Sequence, residues 1–253
     1  MTVVRVERDG EVARLLLDSP ANRNALSAQL RNELHSALRD AIADDEVRSI
    51  VLSHTGTVFC SGADLKEARS GAVFPDVSTV PQILVEIWRS PKPVIAALSG
   101  VARAGGLGLM AACDVVIASS AISFACTEVR IGVVPAVISA VLLPRMSSAA
   151  AHQLFFTGLP VSAQWAQQAG LVDVVAEPEQ LDDEVRRITD AFALAAPGAL
   201  AATKRLTRSE SAIARLQSRF GELEQLSAQH FASAEGREGL AAFAEKRNPS
   251  WVR

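Results

Sequence analysis

Two short glycine-bearing segments have the residue types that turn free backbone amides toward a ligand. The first is Phe59-Cys60-Ser61-Gly62-Ala63-Asp64-Leu65. A strand-like run ends there, Gly62 frees the backbone, and Asp64 stands where a helix would start, a place that suits a carboxylate. Free amides near Ala63 would point outward at a ligand. The second is Ala104-Gly105-Gly106-Leu107-Gly108, followed by Cys113-Asp114. So many glycines are costly in a helix, so something there needs bare backbone. Either a second set of amides faces a ligand, or a helix packs tightly on a strand. Taken singly, the first segment is equally well a simple turn with a helix cap, and the second equally well a tight helix-on-strand contact.

Other elements must bring these two joints together. Apolar residues at 3–6 and 12–17 flank Asp9-Gly10 and predict a hairpin turning on that pair. A loop follows at 19–24. Ser27 predicts a cap for a helix in which Leu30, Leu34, Ala37, Leu38 and Ala41 recur at helical spacing. A short strand is expected at 49–52. Residues 58–67 run from a strand through Gly62 into a helix start. Residues 70–80 have no period and read as a mobile loop. A helix is predicted at 80–88, ended by Pro91 and Pro93. Strands are expected at 94–98, 114–118 and 122–124, with a helix from Gly105 to Ala112. A helix is expected at 149–156. Another, capped by Ser162 and stopped by Gly170, leads into a strand at 171–175. From Glu179 onward the pattern is helical, interrupted at Pro197-Gly198. Open α/β folds place ligands where strands end and helices begin, which singles out the joints at 61–64 and 104–108.

The 253 residues, 49% hydrophobic and 21% charged, suffice for a large core. A net charge of −3 without a long basic run points away from nucleic acid. No apolar run reaches membrane-spanning length, and the N-terminus has no signal-peptide pattern. Cys60, Cys113 and Cys126 read as buried reduced thiols of a cytoplasmic protein. The four histidines are scattered, and no Cys or His spacing suggests a metal site.

Read together, the segments resemble the signature blocks of the crotonase (enoyl-CoA hydratase/isomerase) superfamily, in order. The two glycine segments are joined by Lys-Pro-Val-Ile-Ala-Ala-Leu-Ser-Gly at 92–100. Beyond them lie Cys-Asp-Val-Val-Ile-Ala at 113–118, Thr-Glu-Val-Arg-Ile-Gly at 127–132, Ala-Gly-Leu-Val-Asp at 169–173 and a terminal Phe-Ala-Glu-Lys-Arg-Asn-Pro. The resemblance covers residues 3 to about 253. It implies an α/β fold, a spiral of ββα units over residues 1–195 with a helical C-terminal trimerisation region at 196–253. It implies a homotrimer or a dimer of trimers. It also implies an acyl-CoA thioester as partner, with no metal or redox cofactor and coenzyme A entering as part of the substrate.

The resemblance assigns roles to residues. The backbone amides of Ala63 and Gly105 match the family's oxyanion hole, which stabilises a thioester enolate. Glu128 matches its acid/base glutamate, and Phe124, Val129, Ile131, Val133 and Val134 would supply an apolar pocket that raises its pKa. Coenzyme A would lie along Arg23, Ala25 and Leu26, and along Ser61, Gly62, Asp64 and Leu65. Gly106 would belong to the same loop system. Lys66 and Lys246 would reach phosphates. Lys246 would come with Phe243 from the last helix, of this or a neighbouring subunit. The segment 68–80 would border the acyl pocket.

One position departs from the family pattern. Two-glutamate hydratases carry a second glutamate five residues before the Cys-Asp pair, where this chain has Gly108. Three readings follow: hydration by a single-glutamate enzyme, Δ3/Δ2 isomerisation with Glu128 as proton shuttle, or a CoA-ester binding protein of little activity. The first is preferred. Gly-Leu-Gly-Leu and residues 128–139 are similar to bacterial methylglutaconyl-CoA hydratase-like proteins, and Ser139 would help position water.

Overall fold

The computed structural model describes residues 2–70 and 77–253. The central part of the loop expected at 70–80 therefore lies outside the described residues. Two sheets organise the chain. The larger has the strand order β1-β2-β3-β5-β7-β10 and the smaller β4-β6-β8-β9, where β9 is the two-residue strand Val161–Ser162. β1 (Val4–Asp9) and β2 (Val12–Leu17) form an antiparallel hairpin. Asp9 still pairs with Val12, so the turn residues are Gly10 and Glu11, not Asp9-Gly10. Gly10 takes the positive φ of +56° that this tight turn demands.

The chain then repeats one move. β3 (Ser49–His54), β5 (Val94–Leu98) and β7 (Val115–Ser119) lie in parallel in the larger sheet. Each is followed by a short strand in the smaller one: β4 (Val58–Cys60), β6 (Val101–Arg103) and β8 (Ser123–Ala125). These three are parallel neighbours. Their carboxyl ends therefore lie side by side, although they are far apart in sequence.

The helices obey local chemistry. The Ser27 hydroxyl accepts from Leu30 N and starts α1 (Ala28–Ala43). Leu65–Ser70 forms α2. Thr79 and Gln82 form a reciprocal capping box at the head of α3 (Val80–Arg89). α4 (Gly105–Ala112) is apolar all round and buried between the sheets' connections and α5 (Ala136–Leu142). α6 (Ser148–Thr157) follows, and Ser162 caps α7 (Ala163–Gln168).

Gly170, at φ +86°, ends the turn after α7. The strand expected at 171–175 begins later, as β10 (Val174–Ala176). The N–H groups of Leu171 and Val172 both turn back to Ala166 O, so they are unavailable to a ladder. α8 (Leu181–Ala193) precedes α9 (Pro197–Thr207), where Pro197 opens the helix at a position that needs no N–H. α10 (Glu210–Ala232) and α11 (Ala234–Glu245) complete the chain. Ile213, Leu216 and Phe220 of α10 join the same hydrophobic core as the first sheet's α1 and α3. No helix among the described residues is long and apolar enough to cross a membrane.

Candidate active site

The two glycine joints touch. A Cβ at Gly62 would lie 2.7 Å from Ala104 Cβ and 3.0 Å from Gly105 N. A Cβ at Gly105 would lie 2.8 Å from Leu26 Cδ1 and 3.3 Å from Gly62 Cα. Gly106 is pressed on the end of β4, where a Cβ would meet Cys60 O at 2.5 Å. The tight packing of α4 on β4 therefore accounts for the second glycine run, and it brings the amides of the two joints together. Gly105 is the first residue of α4, so its N–H has no intrahelical acceptor. Among the described residues no hydrogen bond takes the N–H of Ala63 or of Gly105. Ala104 holds φ +49°, ψ −122° between them. Such a backbone costs a non-glycine residue about 1–3 kcal/mol, and it aims the start of α4 at the loop after β4.

The loop at 19–26 is tied to this frame. Buried Asn24 accepts from Ser19 N and donates to the carbonyls of Thr55 and Val58. Ser61 N donates to Arg23 O and Leu26 N to Gly62 O. Asp64 caps α2, its Oδ1 accepting from Lys66 N and Glu67 N while Asn22 donates to Oδ2. Burial works to raise the Asp64 pKa, but these hydrogen bonds and Lys66 hold it below the ordinary value.

The third strand end carries the carboxyl. Glu128 opens a 3-10 turn, Glu128–Ile131, that follows β8 and closes at Gly132 in the left-handed region. The side chain is 9% exposed, and Oε2 has no hydrogen-bond partner among the described residues. Burial raises its pKa from the ordinary 4.5 to about 7. A carboxyl so placed exchanges a proton readily near neutral pH.

Ala63, Gly105 and Glu128 line one cavity of about 750 Å³. Of the other expected residues, Arg23, Ala25, Leu26, Ser61, Asp64, Leu65, Lys66 and Phe243 line it too. Ile131, Val133 and Val134 do so as expected, whereas Phe124 is sunk in the core and Val129 faces outward. Arg69 and Val80 border the cavity from the two ends of the 68–80 segment. Gly62 and Gly106 lie behind the wall and shape it.

Ser139, Lys246 and Gly108 lie outside the cavity lining. Ser139 is outside the lining, and its hydroxyl donates to Ala136 O at 2.6 Å within its own helix. Lys246 is outside the cavity of its own chain, in the left-handed C-cap of α11, so the contact expected of it would be with a neighbouring subunit. At Gly108, where a second glutamate would be expected, Ile138 fills the space. A Cβ at position 108 would lie 2.5 Å from Ile138 Cγ2 and 3.1 Å from Ile138 Cβ. Gly108→Glu is therefore expected to cost about 1–3 kcal/mol by overpacking without a gain in turnover. Adding Ile138→Ala should recover part of that stability, as measured by paired denaturation curves.

Sequence reasoning missed the wall formed by Leu240 and Ala244 of α11 with Ser227 and Phe231 of α10. Leu240 and Phe243, three apart on one helical face, were the available signal. It also missed Arg103, whose guanidinium is held by Ala102 O, Ser123 O and Ser123 Oγ. Arg23, Lys66, Arg69, Arg103 and Arg130 line the cavity. Against them stand Asp64, already engaged as a cap, and Glu128, so the cavity favours a polyanion.

A sequence profile described as enoyl-CoA hydratase/isomerase matches residues 7–253. The fold is similar to the crystal structure of an enoyl-CoA hydratase from Mycobacterium avium, 41% identical over 100% of both chains with a TM-score of 0.89. Carnitinyl-CoA dehydratase of Proteus mirabilis is 34% identical over 96% of this chain and 95% of that protein. Methylmalonyl-CoA decarboxylase in complex with 2-nitronate-propionyl-CoA is 28% identical, with a TM-score of 0.85 over 99% of this chain and 98% of that one.

Proposed function

Because this chain belongs to the enoyl-CoA hydratase/isomerase family, we propose that it adds water across the 2,3 double bond of a trans-2-enoyl-CoA thioester. The observation that carries this is a buried carboxyl with a pKa near 7 sharing one cavity with two unbonded backbone amides. The amides of Ala63 and Gly105 donate to the thioester oxygen. Glu128 as carboxylate takes a proton from water while the water oxygen bonds to C3, and the double-bond electrons move onto the thioester oxygen. The neutral Glu128 then returns that proton to C2. One water is consumed, and Glu128 ends as it began. The amides matter most in the middle of this sequence, when the oxygen bears full charge in a dry site.

Coenzyme A is read as the polyanion that the cationic lining favours, held along Arg23, Ala25, Leu26, Ser61, Asp64, Leu65, Lys66 and Phe243. Residues 196–253 are read as an assembly region giving a trimer or a dimer of trimers. Exposed Leu206 on α9 and Leu226 on α10 support that reading, and sedimentation velocity tests it. The buried free thiols of Cys60, Cys113 and Cys126 support a reducing, cytoplasmic setting.

Ile138 packed over Gly108 favours a second reading, Δ3/Δ2 isomerisation, because Glu128 then shuttles a proton between carbons and no second group is needed to hold water. Turnover of trans-2- and trans-3-enoyl-CoA esters in ¹⁸O-water separates the two. The expected product gains one labelled oxygen. Double-bond migration without added mass would establish the isomerase instead, and binding without turnover would leave a CoA-ester binding protein.

A further inference from the structure

The turn that carries Glu128 rests, backbone on backbone, on the last helix of its own chain. Gly239 of α11 faces Ile131, and a Cβ there would lie 2.7 Å from Ile131 Cα and closer still to its carbonyl group. The contact is reciprocal. A Cβ at Gly132 would lie 2.5 Å from the carbonyl carbon of Glu235, near the start of α11. No side chain fits between helix and turn at either point. Leu240, the residue after Gly239, is buried and lines the cavity with Phe243 and Ala244. Ile131, the residue before Gly132, lines it from the opposite side of the same contact.

The turn is closed on itself. Val133 N donates to Glu128 O at 3.1 Å, which closes residues 128–133 into one loop. A shift of Ile131 and Gly132 is therefore passed to Glu128. We propose that α11, seated through Gly239 on Ile131 and Gly132, is the positioning element of Glu128: it fixes the carboxyl relative to the two amides and keeps its surroundings dry. This rests on reading Glu128 as the acid/base group. Cys126 is close enough to feel the charge of Glu128, and the titratable groups Arg103 and Arg130 line the same cavity. The raised Glu128 pKa comes from burial, not from any of their charges.

The test is Gly239→Ala, with Gly221→Ala as control. Gly221 lies in α10, and a Cβ there meets nothing within 4 Å. Gly239→Ala is expected to lower kcat by about a hundredfold, as a misplaced reacting group does, with KM changed less than about threefold. The Glu128 carboxyl, followed by ¹³C NMR of labelled glutamate and assigned by its absence in Glu128→Gln, should titrate about one pH unit or more lower as water enters. Gly221→Ala should change neither. A folded Gly239→Ala protein with unchanged kcat and unchanged titration overturns the proposal, as does an equal loss in Gly221→Ala. If Gly239→Ala does not fold, hydrogen exchange on the unaltered protein decides. The Val133 amide and the α11 amides should open together, and free exchange of α11 beside a protected Val133 would overturn the seat. The NMR titration needs no turnover. If Glu128→Gln kept full activity, the acid/base reading would fall while the role of α11 was still judged.

Discussion

Glu128→Gln is expected to lower turnover by roughly 10²–10⁴-fold while leaving the affinity for CoA esters close to that of the unaltered protein. Glutamine keeps the shape and the polarity but cannot carry the proton. The groups proposed to hold the thioester oxygen are main-chain amides of Ala63 and Gly105, and the cationic lining lies elsewhere in the cavity, so binding should survive. Calorimetric titration with a non-reacting CoA thioester, beside steady-state kinetics, separates the two effects. Full activity in the variant would sink the acid/base assignment.

The same substitution has a stability consequence of predictable sign. Burial lifts the Glu128 pKa from 4.5 to about 7, so between those pH values the folded chain keeps a proton that the unfolded chain releases. Stability contributed by protonated Glu128 is complete below about pH 4.5 and is lost as pH rises to about 7. The full loss is about 3 kcal/mol. Glutamine does not titrate and escapes it. The Gln variant, inactive, should therefore gain stability relative to the unaltered protein across this window, with the largest gain above pH 7. Melting temperatures of both proteins at pH 5 and pH 8 test this. A gap that did not widen with pH would contradict the buried, proton-retaining carboxyl.

Asp114→Asn should be the most damaging of the substitutions outside the cavity, costing about 3–5 kcal/mol and of order 10 °C in melting temperature. Asp114 follows the C-cap of α4 and is the counter-charge of two cations from the helical region. Lys204 of α9 reaches its Oδ2 at 2.6 Å, and Arg208 reaches Oδ1 at 3.5 Å. The Lys204 ammonium also donates to Ile87 O and Lys92 O. Arg208 donates to the carbonyls of Ala112 and Cys113 and lies over the Trp88 ring. Val94 N donates to the same Oδ2. Removing the charge strands a buried ammonium, for which burial already lowers the pKa against the pull of Asp114. The combination of Asp114→Asn with Lys204→Met should recover much of the loss, because neither charge is then left alone. Denaturation of the two single variants and the pair completes the cycle, and a loss under about 0.5 kcal/mol for Asp114→Asn would show that the pair does not anchor α9. Because α4 begins at Gly105, this anchor also holds one of the two amides in place.

What the sequence determined by itself was local. Ser27, Ser162 and the Thr79–Gln82 box fix helix starts through a side chain and the N–H two or three residues on. Pro91 and Pro93 lie beyond the end of α3. The two glycine runs, Asp64 and Glu128 lie in short motifs whose order along the chain is readable without coordinates. Tertiary structure decided what depends on residues far apart. Three parallel strand ends bring Ala63, Gly105 and Glu128 to one cavity. Ile138 occupies the space beside Gly108, where the motif shows only that a second glutamate is missing. Ser139 turns its hydroxyl to its own helix. The wall of α11 comes from the same chain, and Asp114, legible only as half of a Cys-Asp pair, neutralises lysine and arginine about ninety positions later. Backbone preference is written in the few residues that share a turn or a cap. Packing and charge pairing are settled by distances between residues whose separation in sequence leaves no local trace.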